Sequence, residues 1–141
     1  MRIKSIEDLD LISRLRGYVN ILGPNPTAEN DGIFVIRRAM VIRSLIERRS
    51  PHIINESGET QIDNGVLRAM LKVPKFKHET RSIEAILDMS MLNKVKKWEQ
   101  SHLPSKEQLK LHVNEEQFIV LIVLKSNYKY QRESNKSNRA L

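Results

Sequence analysis

Three arginines stand where a guanidinium could do chemistry on something outside its own helix. Arg14 and Arg16 lie at the junction between a helix-forming stretch, DLDLISRL, and a strand-forming one, YVNIL, and Arg81 opens another amphipathic stretch in KHETRSIEAI. At an element boundary the planar, permanently charged fork can reach a phosphate or carboxylate of a neighbour, whereas an arginine in the middle of a face is held over its own helix. The same side chains could also be solvated or paired locally, so position alone leaves their role open. Other residues are poorer candidates. Asp8 with Asp10, and Glu115 with Glu116, lack the three- or four-residue spacing that puts two carboxylates on one helix face, and acids at helix starts are accounted for by the helix dipole. His52, His78, His102 and His112 are scattered, with no pair at a helical metal-binding spacing, so no metal centre is expected.

What is missing from the sequence also restricts its chemistry. The chain has no cysteine, which excludes disulfides, thiolate metal sites and a cysteine nucleophile. It has no GxxxxGKS or GxxxxGKT phosphate loop, no GxGxxG, no HExxH and no GxSxG, so an autonomous enzyme is not expected. With 141 residues, 40% apolar and 29% charged, the chain has room for one domain or two small lobes. The net charge of +7 favours an acidic partner, whether a nucleotide, a nucleic acid, an acidic protein face or an anionic membrane surface. The 24 basic residues are interleaved with 17 acidic ones, which weakens that inference. The longest apolar run, FIVLIVL at 118 to 124, is far short of the roughly twenty residues a membrane-spanning helix needs. MRIKSIEDLD contains no apolar signal-peptide core, and a cytoplasmic location without membrane contact is expected.

The elements that must position the arginines follow from periodicity and from cap and turn residues. Residues 5 to 16 form a short helix pattern with acids early and bases late, closed by Gly17; residues 18 to 22 alternate as a strand; residues 23 to 31 are a loop with two prolines. From 33 to 49 the apolar set Val35, Ile36, Ala39, Met40, Ile42, Leu45 and Ile46 predicts an amphipathic helix with Arg37, Arg38, Arg43, Arg48 and Arg49 on the remainder. A turn is expected at Ser57 and Gly58. Asp63 is the expected cap of a helix that Pro74 stops, and residues 75 to 81 form a tight connection bearing Lys75, Lys77, His78 and Arg81. A long helix is expected over 80 to 100, with Ile83, Ile86, Leu87, Leu92, Val95 and Trp98 near one face. Capping boxes at Ser105 with Gln108 and at Asn114 with Gln117 predict helices over 105 to 111 and 114 to 125, although the FIVLIVL run also has the propensity of a buried strand. Beyond Lys125 the lack of an apolar period predicts a flexible tail. The expected fold is therefore mainly α, a lid-like bundle of about five helices with one short N-terminal strand, divided into residues 1 to 30, 31 to 125 and 126 to 141.

DLISRL, followed by YVNILGPNP and a long helix, resembles the segment that closes the large domain of AAA+ ATPases, where an arginine finger precedes the last core strand. VPKFKHETRSIEAILDMS resembles the corner between two helices of the small C-terminal lid of the same family, which carries a sensor-2 arginine in a pattern close to G-A-R-x-x-x-x-I. Here that corner reads Glu79-Thr80-Arg81-Ser82-Ile83-Glu84-Ala85-Ile86, with the glycine and alanine of the pattern replaced. LPSKEQLKLHV is similar to the stretch that follows the lid in a group of bacterial putative ATPases. The resemblance runs roughly from residue 8 to 118. It implies that Arg14 is the finger, with Arg16 as the alternative, and that Arg81 contacts the γ-phosphate. It further implies the end of an ATPase core plus its helical lid, with no cofactor of its own and with ATP and magnesium engaged only through a Walker-bearing partner. The implied partners are an ATPase core chain or a second copy of this chain. The alternative is a basic helical module that binds nucleic acid through the arginines of residues 33 to 49, or simply docks another protein.

Overall fold

The structure, a computed structural model, describes residues 21 to 124. The helix expected over 5 to 16, the strand expected over 18 to 22 apart from its last two residues, and the tail from 126 lie outside the described residues. Within them the fold is mainly α, with α1 Phe34–Arg49, α2 Asn64–Lys72, α3 Glu79–Met89, α4 Lys106–Lys110 and α5 Glu115–Val123, and single 3-10 turns at Pro51–Ile53 and Gln100–His102.

α1 buries Ile42, Leu45 and Ile46 as expected, but the N-terminal half of its inward face is Arg38 rather than Ile36 and Met40. Arg38, Ile42, Leu45 and Ile46 are its buried residues, whereas Ile36 and Met40 are 60% and 67% exposed. The inward face runs at four- and three-residue steps from Arg38, a charged residue that a count of apolar positions passes over. Arg49, at the end of α1, ion-pairs with Glu84 and Asp88 of α3 and orients the two helices at the surface. Such exposed pairs contribute at most about 1 kcal/mol each.

α2 starts where its cap was expected: Asp63 Oδ1 accepts from the backbone N–H of Gly65 and of Val66 at 2.9 and 3.2 Å. Gly65 in the first turn allows α2 and α5 to approach closely, since a Cβ there would stand 2.6 Å from the Ile122 carbonyl oxygen. Between α1 and α2, Gly58 takes φ +79° in a tight turn closed by the Gly58 N–H to the Asn55 carbonyl, at the expected place.

The helix expected over 80 to 100 ends at Met89. The Ser90 hydroxyl donates to the Ile86 carbonyl, and Lys94 takes φ +62°, which the interior of a right-handed helix cannot contain. The chain then returns extended. The Trp98 N–H donates to the Gln61 carbonyl, and its carbonyl accepts from the Asp63 N–H, making a single parallel bridge between Ile62 and Trp98. Leu92 and Trp98 are buried as expected of core residues, but from a returning loop. Apolar residues three apart satisfy both arrangements, which is why periodicity extended the helix too far.

The last two helices follow their caps. Ser105 and Gln108 form a reciprocal capping box, and Asn114 Oδ1 accepts from the Gln117 N–H at 3.0 Å. The FIVLIVL run is therefore helical, with Phe118 and Ile122 turned into the core. No helix among the described residues is long and apolar enough to cross a membrane.

Candidate functional site

Of the arginines singled out in the sequence, Arg81 lies at the corner between α2 and α3, which is tied down from within. Val73 and Phe76 are fully buried, and Asn25 from the GPNP loop pairs with the Phe76 backbone as a neighbouring strand would. Its Nδ2 donates to the Phe76 carbonyl and its Oδ1 accepts from the Phe76 N–H, both at 2.8 Å. Arg38 completes the join. It lies between the rings of Phe34 and Phe76, 4.7 and 4.8 Å from their centroids, with no accessible surface. Nε donates to the Pro24 carbonyl at 2.8 Å, Nη1 to the Leu71 and Val73 carbonyls at 2.9 and 2.5 Å, and Nη2 to Asn25 Oδ1 at 3.3 Å.

No carboxylate contacts this buried cation among the described residues; its acceptors include carbonyls at the C-terminal end of α2, where the helix dipole is negative. Burial first, and then neighbouring Arg37, pull the Arg38 pKa down to about 10, still high enough for the guanidinium to be charged at neutral pH. Arg37 holds the same loop from the outside, donating to the Gly23 and Asn25 carbonyls and to Asp31 at 2.6 Å. That fork, with the Thr27 N–H, holds the Asp31 carboxyl well below the usual carboxylate range.

The outer side of the corner is basic. The Lys77 N–H donates to the His112 carbonyl and Lys77 Nζ to the Lys110 carbonyl at 2.5 Å, which joins the corner to the end of α4. The His78 and His112 rings meet edge to face at 6.3 Å. Burial, then His78 and Lys77, hold the His112 imidazole below the usual histidine value. Arg81 stands in the first turn of α3 beside this cluster, exposed, and its side chain makes no hydrogen bond or ion pair with another described residue. Every other described arginine donates to a protein oxygen, Arg43 to Glu47, Gly58 and Thr60, Arg48 to Ser44, and Arg68 to Leu121 and Leu124 among them.

Two residues before Arg81, Glu79 takes φ +50°. This is a backbone region that glycine enters without the cost of about 1 to 2 kcal/mol a side chain incurs. Glu79→Gly is expected to stabilise the fold by about 1 kcal/mol relative to Glu79→Ala in urea denaturation. Equal stabilities of the two variants would contradict the left-handed conformation.

No family model, curated protein or solved structure matches this chain. The corner must therefore be judged on its own chemistry. Its outer side carries charge of both signs: Arg81, without a side-chain partner among the described residues, Lys77, whose Nζ donates to the Lys110 carbonyl, and the paired His78 and His112 rings, with the Glu79 carboxylate beside Gly23. No group of three or more His, Cys, Asp or Glu side chains among the described residues could hold a metal ion. Arg14 and Arg16 lie outside the described residues, so Arg81 is the sequence-selected arginine whose surroundings are defined. Sequence reasoning missed Arg38 and Asn25. A signal was present for Arg38, which falls in register with Ile42, Leu45 and Ile46 and four residues after Phe34.

Proposed function

We propose that this chain is a non-catalytic lid-type module of an AAA+-like ATPase, supplying arginine to a nucleotide whose phosphate loop and magnesium ligands belong to a Walker-bearing core. The observation that carries this reading is Arg81, the described arginine without a side-chain partner among the described residues, set in the first turn of α3 two residues after a left-handed Glu79. The glycine of the lid pattern and the conformation of Glu79 coincide at one position, which supports the alignment of the corner with that pattern. Phosphoryl transfer is assisted mainly by positioned positive charge, so a chain lacking Walker motifs can still contribute to it. In this reading Arg14, with Arg16 as the alternative, supplies the finger, and the loop that follows them is anchored to the Arg81 corner through Asn25 and Arg38.

The nucleic-acid alternative has less support. It relied on the arginines of residues 33 to 49, and in α1 Arg38 is buried while Arg37, Arg43 and Arg49 are engaged by protein oxygens.

The test uses the full chain to capture a Walker-bearing protein and measures ATP hydrolysis by the resulting mixture. The chain alone is expected to hydrolyse no ATP, and Arg81→Ala to lower the rate of the mixture about tenfold, the effect of losing one charge-assisted hydrogen bond. Unchanged rates with both Arg81→Ala and Arg14→Ala would overturn the assignment.

A further inference from the structure

α5 is apolar on nearly every side, a composition characteristic of helices covered all round, yet one face is bare among the described residues. Phe118 and Ile122 point into the core, whereas Val120, Val123 and Leu124 are 56%, 69% and 51% exposed. With Glu116 they recur at four- and three-residue steps and so form one stripe. At its N-terminal end the stripe borders a mainly apolar groove of about 400 Å³ lined by Lys72, Pro74, Glu116, Gln117, Val120 and Leu121. At its C-terminal end stands Arg68, which reaches from α2 to donate to the Leu121 and Leu124 carbonyls.

We infer that this face pairs with α5 of a second copy of the chain, antiparallel, about a two-fold axis near Val120. The stripe is self-complementary only in that sense. With Val120 on the axis, Leu124 of each copy falls opposite Glu116 of the other, so an exposed leucine meets the groove. The same pairing sets the acidic end of each helix, Glu115 and Glu116, against the end where Arg68 stands. A parallel pairing would put acids against acids and Arg68 against Arg68, which is repulsive. A closed two-fold contact of this kind buries the stripe on both partners at once and leaves no open edge for further growth. Because the stripe is short, the dimer is reversible and concentration-dependent. The inference is independent of the nucleotide reading, since neither Arg81 nor the GPNP loop takes part.

The absence of native cysteine makes the test direct. In the full chain, Val120→Cys places one thiol near the axis, and Met40→Cys places one on a somewhat more exposed site of α1 as the control. Under oxidation with copper phenanthroline, Val120→Cys is expected to give a covalent dimer rapidly and Met40→Cys to lag at least tenfold. In sedimentation the unmodified chain should shift with concentration towards twice its 16.4 kDa mass, and Val123→Glu should weaken that association at least tenfold. A chain that stays monomeric at every concentration, equal cross-linking of the two cysteine variants, or a dimer indifferent to Val123→Glu would overturn the pairing.

Discussion

Arg38→Met is expected to destabilise the protein by about 3 to 5 kcal/mol, measured as a shift of the urea midpoint at constant slope. Methionine retains much of the unbranched apolar stem and can still lie between Phe34 and Phe76, so the change isolates the hydrogen bonds from the packing. The bonds lost run to carbonyls from two separate segments, Pro24 on one side and Leu71, Val73 and Pro74 on the other, and to Asn25. Those acceptors are largely shut off from water, and each one left unpaired costs about 1 to 3 kcal/mol, part of which the loop recovers by opening. Arg38→Lys should recover little, because an ammonium lacks the fork that spans both segments. A loss below about 1 kcal/mol for Arg38→Met would show that the buried guanidinium is not what closes the corner.

The second large effect is expected at Asn25. Asn25→Ala removes both bonds to the Phe76 backbone, leaving a buried N–H and a buried carbonyl without their partner, at a cost of about 2 to 4 kcal/mol. Because Arg38 Nη2 also donates to Asn25 Oδ1, the double variant should cost less than the sum of the single ones. Strict additivity in the same denaturation series would mean that the two residues hold the corner separately. Hydrogen exchange at the Phe76 N–H gives a local check, since its protection should fall in Asn25→Ala.

These two residues mark the limit of what could be read in advance. Asp63, Ser105 and Asn114 each satisfy backbone N–H groups within three residues, so their helices were legible from short-range chemistry. Caps also decided the FIVLIVL run, whose propensity left helix and strand open. The overextended helix after Met89 failed for the opposite reason: what closes it is a pairing of Trp98 with Gln61 and Asp63, almost forty positions away. Of the candidate site, Arg81 and its basic neighbours were visible as a charged connection between two helices. The lack of a partner for Arg81 among the described residues, and the engagement of the arginines on α1, were not visible, because hydrogen-bond partners distant in sequence cannot be counted from local pattern.

By itself, then, the sequence determined a mainly helical chain without cysteine or a phosphate loop, several helix starts, and an arginine at the mouth of α3. Those properties depend on residue types and on spacings of one or two helical turns. Only the tertiary structure decided that Arg38 belongs to the inward face of α1 and which arginines are engaged by other described residues. A guanidinium is buried stably only where carbonyls and aromatic rings from several segments converge on it. That convergence is a property of the folded chain, and it separates Arg38, which holds the corner together, from Arg81, which the corner presents.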